Sequence, residues 1–322
     1  MVFLKKQWFL IGLGIALVIG FQLPELVLQL SEAKGFRNSV VAVVLFLMAL
    51  PLQASQLGKT ISKPLAPGLG ILFNTLLLPL FAWPCALLLL NEDFGIGLLV
   101  AVAAPCTMAS AAVWTRRAGG NFAAAILVTV VTNFFCFLTT PFWVFIFTGK
   151  DFKISLSEMI FKLALLVVLP MTLGQLARLV RGVGPWTTNN KVLLSTLAQC
   201  GILIIVCTGA AETSRKMTGT EHSSTQVWPF LAMLFTVNFV HIVILLLGIK
   251  SAQGLGLPRG DQIAVGFSGS QKTLMVGLAV ALELGVSIAP MLVYHISQLF
   301  VDTMVADRFA KNKNADSSEQ ST

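Results

Sequence analysis

Residues 264–273 read Ala-Val-Gly-Phe-Ser-Gly-Ser-Gln-Lys-Thr, and residues 101–110 read Ala-Val-Ala-Ala-Pro-Cys-Thr-Met-Ala-Ser. The two stretches align at a constant offset. Each lies in the middle of a long apolar run and carries small polar residues at its centre. Pro105 withholds an amide and Gly269 has no Cβ, so both runs can break there, exposing backbone groups that cannot stay unpaired in lipid. Paired breaks predict a transport site, in which half-helix N-termini face an anionic group and unwound carbonyls hold a cation. The plainer reading of either stretch alone is a kinked helix packed tightly through small residues.

The surrounding sequence places these breaks in a membrane protein. Of 322 residues, 56% are apolar and 11% charged, with a mean hydropathy of +0.85, against about 25% charged in soluble chains. Apolar runs of ~20 residues exclude the alternating strands of a porin barrel and predict helices. Ten spans are expected, at 8–30, 38–56, 67–90, 95–115, 120–147, 155–178, 189–211, 227–249, 261–283 and 286–306. Of the 22 Lys and Arg residues, 14 fall in the loops on the side of the N-terminus, 6 in the opposite loops, and two, Lys162 and Lys272, within spans. By the positive-inside rule both termini are cytoplasmic, in a plasma membrane of the bacterial inner type. The first span is too long for a signal-peptide core and is read as retained. The net charge of +8 comes in ones and twos between apolar runs, which fits orientation in a lipid bilayer and not nucleic acid. The five cysteines lie inside apolar runs without metal-type spacing and read as core residues. The chain shows no Walker A pattern, which removes ATP-driven pumping.

Dividing the chain near residue 151 leaves five spans in each half, and an odd number forces the second half to insert upside down, as an inverted repeat. With one residue of slippage, Ile71–Asn74 also matches Leu234–Asn238. Lys272 lies about eleven residues from either end of the ninth span, near the bilayer midplane, where an ionisable group costs at least about 2.5–3.5 kcal/mol and is by default a functional residue. Its ammonium could pair with an anionic substrate or give up its proton, or it could donate permanently to carbonyls at the helix ends. Lys162, with Glu158 one turn before it, reads as a surface pair. Asp302 reads as solvated, and Trp8, Trp114, Trp143 and Trp228 as interfacial anchors.

Leu-Pro-Leu (50–52), Asn74–Pro79, Pro-Cys-Thr-Met-Ala-Ser (105–110) running to Gly120-Asn121, Leu-Thr-Thr-Pro (138–141) and His241 together resemble the bile acid:sodium symporter family. Residues 267–274, Phe-Ser-Gly-Ser-Gln-Lys-Thr-Leu, are similar to the Phe-x-Gly-Ser-x-Lys-Ser/Thr-Leu signature of its SBF-like branch, which includes the member-7 type of solute carrier family 10. The resemblance implies an all-α polytopic protein of ten helices in a five-plus-five inverted repeat, with helices 4 and 9 unwound and crossing. It implies panel helices 1–2 over residues 1–65, core helices 3–5 over 66–150, panel helices 6–7 over 151–225 and core helices 8–10 over 226–307; the polar composition of residues 308–322 separately predicts a disordered cytoplasmic tail.

The resemblance also implies a secondary active transporter. Sodium-coupled relatives carry an asparagine and a glutamate where this chain has Ala111 and Phe267, so two oxygen ligands are missing and the sodium site is expected to be incomplete. In those relatives an asparagine stands at the position of Lys272. The expected reading is therefore alternating access for a small organic anion, coupled to protons or uncoupled, with Lys272 in the electrostatic place of the absent ion. Sodium as coupling ion in a bile-acid-like symporter is the alternative, as are a non-transporting regulatory protein and an intramembrane hydrolase built on Ser268 or Ser270 with Lys272. The expected substrate and ion site gathers Ser268, Ser270, Gln271, Lys272 and Thr273 from the ninth span, Thr107 and Ser110 from the fourth, Asn74 from the third, and Asn238 from the eighth. Thr129, Thr132 and Asn133 from the fifth and His295 from the tenth complete it. No catalytic residue, cofactor or resident metal is expected.

Overall fold

The computed structural model describes residues 8–31, 33, 35–52, 63–108, 110–149, 155–217 and 227–319. Among these residues the fold is all helix. Several loop charges behind the orientation reading, including Lys5, Lys6, Lys34, Lys59, Lys150 and Lys153, lie outside them. The helices are α1 (Trp8–Gln22), α2 (Pro24–Leu30), α3 (Phe36–Ala49), α4 (Leu65–Leu87), α5 (Glu92–Ala103), α6 (Ser110–Arg117) and α7 (Phe122–Thr148). They continue with α8 (Leu156–Ala177), α9 (Val183–Asn189), α10 (Lys191–Met217), α11 (Val227–Gly254), α12 (Arg259–Ser270), α13 (Leu274–Leu284) and α14 (Ala289–Glu319).

Six of these elements, α4, α7, α8, α10, α11 and the α12–α13 run, are long and apolar enough to cross a membrane, or seven when the bent α1–α2 pair counts as one. The protein is thus an all-α polytopic membrane protein. Of the other expected spans, the second is represented by α3, of 14 residues, the fourth by α5 and α6, and the tenth by α14. The first does not run straight from 8 to 30. Pro24 cannot donate a backbone hydrogen bond, the chain leaves helical geometry at Leu23, and α2 restarts with proline at its first position, bent by 102° from α1. At the other end, the tail expected to be disordered is helix as far as Glu319. No glycine or proline follows Pro290, so nothing in the sequence stops α14 once it has started.

The helices pack as two groups. In one, α10 packs against α1, α2 and α3, and α3 against α8. In the other, α12 packs against α4, α6, α7 and α11, α5 against α4 and α7, and α14 against α5, α6 and α11. The α12–α13 run is the most enclosed, 94% of its most apolar window being buried, against 33–44% for the other five, whose outer faces meet lipid. Phe134, Phe135, Phe142, Phe235 and Phe239 are among the exposed apolar side chains on those faces. Cysteine usage departs from expectation: Cys106 and Cys136 are buried, Cys85 and Cys207 half-buried, and Cys200 exposed. Exposure costs nothing here, because lipid accepts an apolar thiol as readily as a protein core.

Candidate functional site

Proline sets the first break. Ala104, constrained by Pro105 behind it, is extended (φ −64°, ψ 154°), and α5 ends at Ala103. The second break is not at Gly269, which is still helical. It begins two residues later, where Gln271 turns extended (φ −79°, ψ 142°). The glycine serves approach instead: a Cβ at position 269 would come within 2.8 Å of Phe73 Cβ, so its absence lets α12 lie against α4. With no proline to stop α12, its end is held by side chains. Asn74 Nδ2 donates to Ser268 O (3.0 Å) and Gln271 O (2.9 Å), and Tyr294 Oη donates to Ser270 O (2.7 Å). The two breaks meet in one backbone hydrogen bond, Thr273 N–H to Pro105 O, 2.9 Å.

Lys272 fills the crossing. It is 1% exposed, and its Nζ donates to Asn74 O (2.6 Å), Ala104 O (2.7 Å) and Asn74 Oδ1 (3.2 Å). Both carbonyls are free for a reason legible in the backbone. Within α4, residues Phe73–Leu77 form a π turn, in which Leu78 N–H reaches back to Phe73 O and skips Asn74. The next amide would be that of Pro79, which has none. Thr75 O lacks its α-helical donor for the same reason, and Trp143 Nε1 supplies one at 2.7 Å. Trp143 is therefore a buried strut and not the expected interfacial anchor. Ala104 O stands at the C-terminal end of α5, where the helix dipole also favours a cation. The ammonium so occupies a small cage of oxygens contributed by α4 and the first break.

The remaining backbone groups of the breaks are satisfied in the same manner, as burial requires. Cys106 N donates to Thr132 Oγ1 (3.2 Å), Asn133 Nδ2 to Cys106 O (2.7 Å), Thr129 Oγ1 to Thr107 O (3.3 Å) and Thr140 Oγ1 to Ala103 O (2.8 Å). Gln298 closes a two-point contact on the lysine's own backbone: Lys272 N donates to its Oε1 (2.9 Å), and its Nε2 to Lys272 O (3.0 Å). Asn133 Oδ1 is buried and without a partner. Gln271 points the other way. Its Oε1 accepts from Ser110 Oγ (2.7 Å) and its Nε2 donates to Asp302 Oδ2, while Asp302 Oδ1 faces His241 Nε2 at 3.0 Å.

Of the expected residues, the structure brings Asn74, Thr107, Ser110, Thr129, Thr132, Asn133, Gln271, Lys272 and Thr273 to the crossing. Ser268 and Ser270 are there, but their hydroxyls bond their own helix at Ala264 O (2.6 Å) and Gly266 O (2.9 Å), while the lysine is engaged with Asn74 and Ala104. No Ser–Lys pair forms. Asn238 is elsewhere: half-buried in α11, it donates to Leu234 O one turn back. His295 is half-buried, with its ring edge-on to Phe9 and Nδ1 3.0 Å from Gln298 Nε2. Ala111 and Phe267, where two sodium ligands were expected to be missing, are fully buried in apolar clusters, the former with Cys106 and Val128, the latter with Ala118, Leu245, Ile263 and Ala306.

Asp302 overturns expectation. It is fully buried, not solvated, and its Oδ1 lies 3.0 Å from His241 Nε2. The signal was a spacing: Tyr294, Gln298 and Asp302 recur every four residues, so one face of α14 carries all three into the core. Lys162 pairs with Glu283 of α13 (2.5 Å) and not with Glu158, whose backbone amide is instead capped by Ser155.

Beside the crossing lies a cleft of about 460 Å³. The first helix group contributes Phe9, Met48, Lys191 and Ile202 to it, and the second Thr107, Ser110, Arg116, Phe122 and His295. Among the described residues its formally charged lining residues are Arg116 and Lys191, with no carboxylate. Lys272 stands behind its floor, one residue beyond Gln271, which bonds Ser110.

The model of the SBF-like CPA transporter family matches residues 7–311. The chain belongs to that family. Its relatives include sodium/bile acid cotransporter 7-B of Xenopus laevis, 22% identical over 318 residues, covering 94% of this chain and 91% of that one. Sodium/bile acid cotransporter 7 of Mus musculus is 22% identical over 317 residues, covering 94% and 92%. Protein PA2026 of Pseudomonas aeruginosa, uncharacterized by its name, is 29% identical over 236 residues, covering 70% and 68%. The chain is therefore an integral membrane transporter of the bile acid:sodium symporter kind and not an enzyme, which disposes of the hydrolase alternative.

Proposed function

We propose that the protein carries an amphipathic organic anion by alternating access, and that its coupling ion is not sodium. The observation that carries this is the cleft: an apolar-walled space of a size that takes small molecules, whose formal charges among the described residues are Arg116 and Lys191. An anion gains there from two cations, and a cation gains nothing.

Sodium is disfavoured by what fills the neighbouring positions. A hard cation stripped of water needs oxygen ligands, and Ala111 and Phe267 offer a methyl and a phenyl in dry clusters. Lys272 supplies a tethered positive charge instead, already saturated by three protein oxygens. In this reading it acts from behind the cleft floor as a fixed charge and holds the two breaks together, while Thr107 and Ser110 meet the substrate. The helix group of α1, α3, α8 and α10 is the panel against which the rest, the core, rocks. In this reading both termini are cytoplasmic, the cleft opens toward the cytoplasm of a plasma membrane, and the Lys162–Glu283 bridge, which ties α8 to α13 beside a recess of about 400 Å³, is the gate on the opposite side.

The test is thermal unfolding of the detergent-purified chain with taurocholate, an uncharged detergent-like sterol and a cationic amphiphile as probes, with sodium exchanged for choline at constant ionic strength. Ligand that binds the native state raises the midpoint. Stabilisation by taurocholate alone, independent of sodium and weakened in Arg116→Gln/Lys191→Gln, is the expected outcome. Stabilisation by sodium in the absence of any anion, or indifference of taurocholate binding to the double neutralisation, would overturn the reading.

A further inference from the structure

Among the described residues, Lys272, His241 and Asp302 are the only Lys, Arg, His, Asp or Glu side chains that are buried. The lysine is accounted for by its oxygen cage. The other two form a second ionisable centre on the far side of Gln271, and the expected site did not include it. Asp302 Oδ1 faces His241 Nε2 at 3.0 Å, both side chains being 0% exposed, and His241 Nδ1 lies 3.4 Å from Ser270 O. Gln271 and Ser110 link this pair to the cleft.

We infer that the His241–Asp302 pair is the proton-loading site of the carrier, and that its occupancy is read at the cleft through Gln271 and Ser110, so that proton and anion load together. The inference rests on the anion-transport reading above. Two physical arguments support it. The first is charge. With His241 neutral, Lys272 and Asp302 cancel. One proton added to the pair, on carboxylate or imidazole, leaves the buried core at +1, and an anion in the adjoining cleft restores neutrality.

The second argument is the direction of the hydrogen bonds. With Asp302 ionised, Gln271 must turn its amide nitrogen to the carboxylate and its oxygen to Ser110, whose O–H is thereby committed. A carboxyl protonated at Oδ2 needs an acceptor, so the Gln271 amide turns over. Its nitrogen then donates to Ser110 Oγ, and the serine O–H is released toward the cleft as a donor for an anion. Proton uptake therefore converts the cleft floor from acceptor to donor. The groups facing the pair are Tyr294, edge-on to the His241 ring at 5.5 Å, Gln271, and Cys106 at the first break, which lies within electrostatic reach of both Asp302 and Lys272. Of the charges on the packed helices, Arg116, Arg117, Lys250, Arg259 and Asp261 lie within about a turn of helix ends, and Asp307, inside α14, is exposed and paired with Arg117.

The experiment measures the apparent affinity of the full-length chain for taurocholate, by thermal shift in choline buffer, between about pH 5 and pH 8. Its sulfonate stays ionised throughout, so any pH dependence belongs to the protein. Wild type should bind more tightly at the acid end by on the order of 5–150-fold. Asp302→Asn, a permanently uncharged stand-in for the protonated carboxyl, should bind at every pH as wild type does in acid, and His241→Gln should also lose the pH dependence. Ser110→Ala should weaken binding at the acid end and flatten the profile. A profile unchanged in both Asp302→Asn and His241→Gln would overturn the assignment. If taurocholate stabilises nothing at any pH, the anion reading fails separately. The pair is then judged on the ligand-free midpoint: a pH dependence that vanishes in Asp302→Asn and His241→Gln supports it, and one that persists in both refutes it.

Discussion

Replacing Lys272 by methionine keeps most of the side-chain volume and removes the ammonium. Three contacts are lost, two of them to backbone carbonyls. A buried acceptor left without a donor costs about 1–3 kcal/mol, so Asn74 O and Ala104 O together set a loss of about 2–6 kcal/mol. The opposing term is real: burying a charge is expensive, and apolar replacements of buried ionic groups are often neutral or stabilising. The sign is decided by whether the two carbonyls can find other donors. Asn74 O cannot return to its helix, because Leu78 N–H is committed to Phe73 O and Pro79 has no amide. Ala104 O has left α5 through an extended residue fixed by Pro105. A net destabilisation of a few kcal/mol is therefore expected, a large share of the 5–15 kcal/mol typical of folded proteins. Equilibrium unfolding in mixed detergent micelles measures it. A Lys272→Met protein as stable as wild type would show that the ammonium is not what holds the crossing. Lys272→Ala gives a second readout, because it empties the oxygen cage. Methylammonium should then restore stability, by about 1.4 kcal/mol at tenfold excess over its Kd, and tetramethylammonium, which cannot donate, should not.

Trp143→Phe strips the donor from Thr75 O and should cost about 1–3 kcal/mol, read in the same unfolding assay; no loss would mean that Leu80 or water takes over. Phe267→Ala empties a fully buried position in an apolar cluster and should cost about 3–5 kcal/mol, with sodium giving no rescue. A double-mutant cycle on Lys162 and Glu283, each side chain 36% exposed, should return under about 1 kcal/mol of stability. The proposed gate nevertheless predicts faster exchange between states in either single mutant, measured by accessibility of an introduced cysteine on the far side, and an unchanged rate would remove the gate.

Six or seven of the ten expected spans, and the existence of two breaks, were legible because lipid leaves few alternatives: apolar runs must be helices, and polar centres within them must be satisfied internally. Lys272 was legible for the same reason, since an amine at mid-membrane depth cannot be incidental. Its partners were not. They follow from a π turn whose consequence appears only when Pro79 is counted against Asn74, a relation between one residue's missing amide and another's stranded carbonyl. The second break was misplaced because Gly269 has the composition of a break, whereas α12 is ended by Asn74, Tyr294 and His241 from distant helices. Asn238 was overvalued as an intramembrane amide, although an amide can satisfy itself one turn back. Asp302 was undervalued because nearness to a span end was read as nearness to water, but α14 continues past it and Ala306, one turn further, is also fully buried.

These errors bear on mechanism. A sodium ion at the crossing of two broken helices can leave, and its departure lets a cycle couple gradient to cargo. A lysine in the same cage cannot leave. Lys272 secures the architecture of the crossing at the price of the exchangeable ion, because it is tethered to the chain and its three donors are occupied by backbone and amide oxygens. If the carrier is driven at all, the exchange must occur at another buried group that can gain or lose charge. Beside Lys272, His241 and Asp302 are the only buried Lys, Arg, His, Asp or Glu side chains among the described residues. Their link to the cleft passes through Gln271, the residue immediately before the lysine. The same turn of chain thus presents a fixed charge on one side and, on the other, an amide able to report a variable one. A carrier with both Asp302→Asn and Lys272→Met should accordingly lose its response to pH and its rigid crossing as separable effects: the first in the affinity profile for taurocholate, the second in unfolding. Losses that cannot be separated in the two single mutants would mean that lysine and pair form a single charge network, and the division of labour argued for them would fall.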